Sequence, residues 1–285
     1  MDIGIGLPTT VPGISGTVLV DWAQRAEEHE FTSLGVLDRL AYDNYEPLIS
    51  LAAAAAVTQR IQLAATILIV PYRDSAAVLA KQVATIDHLS GGRVVLGVAA
   101  GGREDDFIAS GARYTDRGRR MDAMVTQMRK VWDGGGPVPG IGPRPPGGAP
   151  MLLVGGHSAT AMRRAAAHGD GWISGASSAS DYAELARKAR VAWAERGRPG
   201  RPRLVSLAYV ALGPAGEERA AEYLSAYYAF AGTKANQAVG NVITDADQLR
   251  VTRDEYAAAG CDELLLFPCL SESGQVDLIA KAALS

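Results

Sequence analysis

Short apolar runs return along this chain with a regularity that leaves few architectures open. They occupy residues 3–7, 33–37, 61–70, 94–99, 151–154, 171–174, 204–212 and 263–268. Most are continuous in polarity rather than alternating, as strands are when both faces are covered. Helical patterns fill the spaces between them. Residues 17–29 set Val18, Trp22 and Ala26 on one stripe and leave Glu27 and Glu28 outside it. Similar patterns run over 47–58, 75–89, 119–132, 158–168, 181–196, 217–230 and 245–259. Strand followed by helix, eight times, predicts an α/β protein of the (β/α)8 TIM-barrel type. A doubly wound open sheet is the alternative. The whole chain, residues 1–285, is expected to form a single barrel domain.

Two segments break the rhythm. Residues 133–150 hold seven Gly and six Pro in 18 positions, which excludes helix and disfavours strand. The segment reads as a surface linker or as a loop folding over the barrel mouth. Residues 213–260 carry two helical patterns where one is expected, with Tyr223, Tyr227, Tyr228 and Phe230 close together. That group reads either as helix packing or as an aromatic wall for an organic substrate.

Several function classes drop out. A net charge of −3 lacks the basic excess of a general nucleic-acid binder. Two cysteines, Cys261 and Cys269, cannot build a disulfide framework and suit a reducing compartment. No apolar run approaches the roughly 18 residues of a membrane span. The first residues are strand-like and carry no signal-peptide pattern. The expectation is a cytoplasmic protein with neither nucleic acid nor membrane as partner.

Nucleophile elbows, Cys–His pairs and zinc motifs are absent, so no metal is expected. His29, His88 and His168 fall within or at the ends of helical patterns, whereas His157 directly follows a strand. The stretch Val154-Gly155-Gly156-His157-Ser158 joins a buried strand to a capped helix start, where bare amides and the helix dipole favour an anion such as phosphate. A second glycine turn, Gly101-Gly102, follows the fourth strand. Behind it Glu104, Asp105 and Asp106 suit the first turn of a helix. Asp38 and Arg39 end the second strand, at the side of a barrel where catalytic groups gather.

One block is more specific. Ala84-Thr85-Ile86-Asp87-His88-Leu89-Ser90-Gly91-Gly92-Arg93-Val94-Val95-Leu96-Gly97-Val98 closely resembles a motif of the luciferase-like monooxygenase superfamily. Arg60-Ile61-Gln62-Leu63, Pro71-Tyr72-Arg73, Asp106-Phe107, Arg117-Gly118, Val154-Gly155-Gly156 and Gly169-Asp170-Gly171-Trp172 extend the likeness over most of the chain. The resemblance implies a barrel holding coenzyme F420, or alternatively FMN, at its C-terminal mouth. It implies that Gly155, Gly156, His157 and Ser158 hold the cofactor phosphate, and that Gly101 and Gly102 approach its ring or tail. It places Thr66–Ile67 at a third-strand bulge whose non-proline cis peptide backs the ring, and Asp38 near the ring's polar edge. Arg39, Arg73 and Arg103 then offer charge to an anionic tail. Thr66 and Ala99 stand where the family often has glycine. Arg39 stands where many deazaflavin-dependent members have a histidine, and guanidinium does not deprotonate at working pH. Proton transfer would pass to Asp38 and to Tyr72, His157 or Glu104.

The implied activity is hydride transfer between coenzyme F420 and a small organic substrate. An FMNH2-dependent monooxygenase with a reductase partner is the first alternative. A barrel that binds the cofactor without turnover is the second, and a phosphate-handling lyase or isomerase the third. The family further implies a homodimer.

Overall fold

The computed structural model of the chain describes residues 1–232 and 234–285, apart from the side chains of residues 234 and 235. Residue 233, inside the expected 213–260 insertion, lies outside the described residues.

Eight strands form a closed parallel barrel in sequence order. They are β1 (Asp2–Gly6), β2 (Ser33–Val36), β3 (Gln62–Ile69), β4 (Val94–Ala99), β5 (Met151–Gly155), β6 (Gly171–Ile173), β7 (Arg203–Val210) and β8 (Glu263–Pro268). β8 closes on β1 with Asp2 opposite Glu263 and Ile5 opposite Leu266. The helices are α1 (Gly16–Glu28), α2 (Pro47–Val57), α3 (Ala76–Ser90), α4 (Glu104–Ser110), α5 (Arg117–Trp132) and α6 (Ala159–His168). They continue as α7 (Ala179–Glu195), α8 (Gly216–Tyr227), α9 (Lys234–Gly240), α10 (Ala246–Ala258) and α11 (Gly274–Ala283). The sequence reading missed α11, although Val276, Ile279, Ala280 and Ala283 sit on its buried face.

The apolar side chains divide into two cores. One is a ring between barrel and helices, with Ile5, Leu34, Leu63, Leu96 and Leu266 on the strands and Trp22, Leu51, Leu79 and Met128 on the helices. The other fills the barrel, with Val95, Leu153, Ile173, Leu265 and Phe267, and continues up into Tyr223, Leu224 and Tyr227 of α8. Alternation along each strand sends one set of side chains to each core, which explains why the strands read as continuously apolar.

Between Ala65 and Leu68, two β3 residues face a single position of β4, so the strand bulges at Thr66 and Ile67. The 133–150 segment leads from the C-terminal end of α5 to the N-terminal end of β5. A connection of that polarity lies on the bottom face of a barrel, and the Arg144 carbonyl accordingly meets His88 Nε2, at the bottom end of α3, at 2.6 Å. The segment therefore does not fold over the mouth. Among the described residues no helix is long and apolar enough to cross a membrane, and no group of His, Cys, Asp and Glu is placed to hold a metal ion.

Candidate active site

The C-terminal strand ends open into one cleft with two parts. An inner chamber of about 160 Å³ is bounded by Asp38, Thr66, Arg103, Leu207, Tyr209 and Tyr227. An outer groove of about 720 Å³ runs past Gly155, Gly156, His157, Ser158, Arg117 and Arg164. Both parts share Ile67, Ile69, Gly101, Gly102 and Gly175 as walls, so they are continuous. The groove falls within the 300–1,000 Å³ of ordinary small-molecule sites.

The bulge turns Ile67 into this cleft, while Thr66 Oγ1 donates to the Val36 carbonyl at 3.3 Å. The peptide between Thr66 and Ile67 is trans. Among the described residues the cis bond is Gly142–Pro143, so the expected cis peptide is absent while the expected bulge is present. Two glycines let the neighbouring side chains of the wall pack against bare backbone. A Cβ on Gly155 would lie 2.3 Å from Ile67 Cδ1, and one on Gly101, whose φ is +78°, would lie 2.7 Å from Ile69 Cγ2. Arg117 Nε holds the Gly101 carbonyl at 3.0 Å.

The turn from β5 into α6 behaves as a helix start. Ser158 Oγ accepts from Ala161 N–H at 3.1 Å, leaving its hydroxyl committed to capping and the first-turn amides without intrahelical acceptors. His157 Nε2 lies 3.0 Å from Ser174 Oγ. Arg164 lines the groove beside this turn and pairs with Asp122 at 2.6 Å.

Asp38, expected to handle protons, has both oxygens occupied. Oδ1 accepts from Tyr72 Oη at 2.5 Å, and Oδ2 from Ile69 N–H at 2.7 Å and Arg73 Nη1 at 2.8 Å. Its side chain is 1% exposed. Tyr72 lines neither part of the cleft. Burial pushes its phenol well above the ordinary range, and the neighbouring Asp38 carboxylate adds to the shift, so Tyr72 keeps its proton. The pair clasps the end of β3 to the end of β2. Glu104 stands exposed in the first turn of α4, outside the cleft wall. Of the residues expected to move protons, His157 alone is both cleft-lining and exposed.

Arg39 is buried, paired with Asp105 at 2.7 Å and Asp106 at 3.4 Å, and stacked 5.3 Å from the Tyr42 ring. Arg73 pairs with Asp38 and also reaches Glu46 at 3.4 Å. The aromatic cluster of the 213–260 segment does form a wall. Tyr227 and Tyr228 face the chamber, Phe230 faces the groove, and Tyr223 is turned away into a 2.6 Å hydrogen bond with Thr10. Tyr209 joins this wall through its hydroxyl, 2.8 Å from Tyr228 Oη. Sequence reasoning missed Tyr209, because it sits in an apolar strand run and nothing local marks it as a mouth residue. It also missed Arg164, which is one helical turn beyond the capped start.

A closed parallel (β/α)8 barrel with its cleft at the strand C-termini and a helix start within that cleft defines a TIM-barrel protein with a small-molecule site. The family model for luciferase-like monooxygenases matches residues 1–272, and the chain belongs to that family. An uncharacterised protein of Mycobacterium tuberculosis is 33% identical over 174 residues, which is 57% of this chain. The match spans only 61% of that relative's length. The F420-dependent glucose-6-phosphate dehydrogenase of Nocardia farcinica is 31% identical over 196 residues, 60% of this chain and 57% of that one. Among solved structures, an F420-dependent secondary alcohol dehydrogenase in complex with an F420–acetone adduct superposes with a TM-score of 0.83. It is 19% identical and covers 99% of this chain and 97% of its own. The monooxygenase RslO1 of Streptomyces bottropensis gives 0.79 at 20% identity, covering 100% and 99%. These structural likenesses establish the barrel.

Proposed function

We propose that this chain is an oxidoreductase that binds coenzyme F420 in the cleft and passes hydride between it and a small organic substrate. One observation carries the reading. The bulge at Thr66 and Ile67, the turn at Gly101 and Gly102, and the β5–α6 start line one continuous cleft wall. A flat ring with a phosphorylated tail fits such a wall. The relatives named as F420-dependent dehydrogenases favour the deazaflavin over FMN.

In this reading Thr66 and Ile67 back the ring, and Gly101 and Gly102 allow its close approach. The amides after Gly155, Gly156, His157 and Ser158 hold the phosphate with help from the helix dipole. The coenzyme, when bound, supplies the hydride chemistry, and the protein supplies position and electrostatics. Asp38 and Tyr72 hold the end of β3 in place. The His157 imidazole, 3.0 Å from Ser174 Oγ at the cleft surface, is the side chain this reading assigns to proton exchange. A cytoplasmic setting and a homodimer complete the proposal.

Titrating the full chain with F420 and with FMN, read by quenching of its four tryptophans, tests this. Tight F420 binding with weak FMN binding is the expected result. The reverse order would redirect the reading to oxygen-dependent monooxygenation with a reductase partner. Binding of neither at high micromolar concentration would sink it.

A further inference from the structure

Three arginines stand near the C-terminal strand ends, and two of them are held in ion pairs. Arg39 is paired with Asp105 and Asp106, and Arg73 with Asp38 and Glu46. Arg103 forms no ion pair among the described residues. Its guanidinium is packed 4.3 Å from the Tyr227 ring centre and 4.2 Å from that of Phe230. Its Nη1 is closed off from solvent and has no hydrogen-bond partner. Stacking on an aromatic face leaves the in-plane N–H donors unanswered. A closed-off donor without an acceptor is unfavourable, and more so on a charged group.

Neither carboxylate lining the chamber, Asp38 or Asp106, pairs with Arg103. Burial raises the Tyr227 and Tyr228 phenols, so both are neutral at working pH. Asp106 accepts from the Leu40 and Ala41 amides at 3.0 and 2.7 Å and faces Arg39. Asp38 is fully engaged by Tyr72, Ile69 and Arg73. Thr66 gives its proton to Val36. Arg103 is left without a carboxylate partner among the described residues, against walls of Leu37, Ile67, Leu207 and Tyr209.

We infer that the chamber takes a small organic acid. Its carboxylate bonds to the Arg103 guanidinium, whose planar fork suits a carboxylate, and its carbon skeleton lies against Leu207, Ile67 and Tyr227. Arg103 thereby selects an anionic substrate over a neutral alcohol or ketone. The inference rests on reading the cleft as a joint cofactor and substrate site.

Calorimetric titration of the full chain with benzoate and with benzamide, its neutral near-isostere, tests it both with and without F420. Benzoate is expected to bind about tenfold more tightly or better, a factor of ten being the smallest that a charge-assisted hydrogen bond should give. Arg103→Met keeps an apolar chain on the aromatic wall and is expected to abolish the preference, while Arg103→Lys keeps part of it. Circular dichroism establishes that each variant folds. If Arg103→Met does not, a preference unchanged in Arg103→Lys overturns the proposal. Equal binding of acid and amide, binding of neither, or a preference that survives in Arg103→Met also overturns it. So does an Arg103→Met variant that loses F420 affinity and keeps the benzoate preference, because the guanidinium would then read the coenzyme's own acidic tail. The benzoate titration includes the coenzyme-free chain. A chain that fails to bind F420 therefore sinks the functional reading without deciding this one.

Discussion

Asp38 sits at the mouth of a barrel, yet both its oxygens are committed to the protein. A carboxylate with three donors on it, one of them a guanidinium, is held in place. It locks the Ile69 amide, where β3 leaves its bulge, to the end of β2. Asp38→Asn would leave the nearly buried Arg73 without its main counter-charge and is expected to cost about 3 kcal/mol in urea unfolding. Tyr72→Phe removes one buried hydrogen bond and is expected to cost about 1 kcal/mol. Turnover in Tyr72→Phe should fall only by the small factor that a displaced wall produces. A loss of several orders of magnitude with unchanged stability would instead mark Tyr72 as a proton donor to the substrate.

At the scale of the element, Glu27 illustrates how the helices are tied to the strands. It stands near the end of α1 and accepts from three successive amides, Gln59, Arg60 and Ile61, at 2.6–3.0 Å, as the chain turns into β3. Partial burial alone would raise its carboxyl, but the three amides together outweigh that and hold it below its ordinary 4.5. A depressed folded-state pKa means stability that is complete above the unfolded value and is lost as pH falls through the folded one. Glu27→Gln is expected to cost about 1 kcal/mol at pH 7, screening by solvent keeping the figure modest. The gap between wild type and variant should narrow as pH falls below the ordinary 4.5, as thermal melts across pH would show. The strands were legible to within a residue or two because each lies between two apolar layers, and such burial writes itself into a continuous run. The α11 helix was not legible because it is short, ten residues, and starts without a side-chain cap, so its apolar spacing spans fewer than three turns. The glycine turns were legible for a local reason, since strand, glycines and cap are consecutive in the chain. The matched charges of Arg39 and Arg73 were not legible. Arg39 finds Asp105 and Asp106 across 66 and 67 residues, and Arg73 finds Asp38 across 35. No spacing rule distinguishes them from Arg103, which forms no ion pair among the described residues.

For the whole molecule, the two cores divide the labour. The ring between barrel and helices depends on every strand, whereas the interior core rises without a break into the α8 side chains that wall the chamber. The bottom face is another matter. The 133–150 segment is anchored there by His88 and Arg144, and its Gly140, Gly147 and Gly148 have open space where a side chain would point. Val138 within it is 58% exposed. Lengthening it by ten Gly and Ser residues after Val138 should raise the loop-closure cost by well under 1 kcal/mol and leave F420 affinity at the wild-type value. An affinity change beyond a few-fold in the same titration would contradict this. A fluorophore, an affinity tag or a surface tether can thus be carried on one end of the barrel while the other end goes on meeting its ligands.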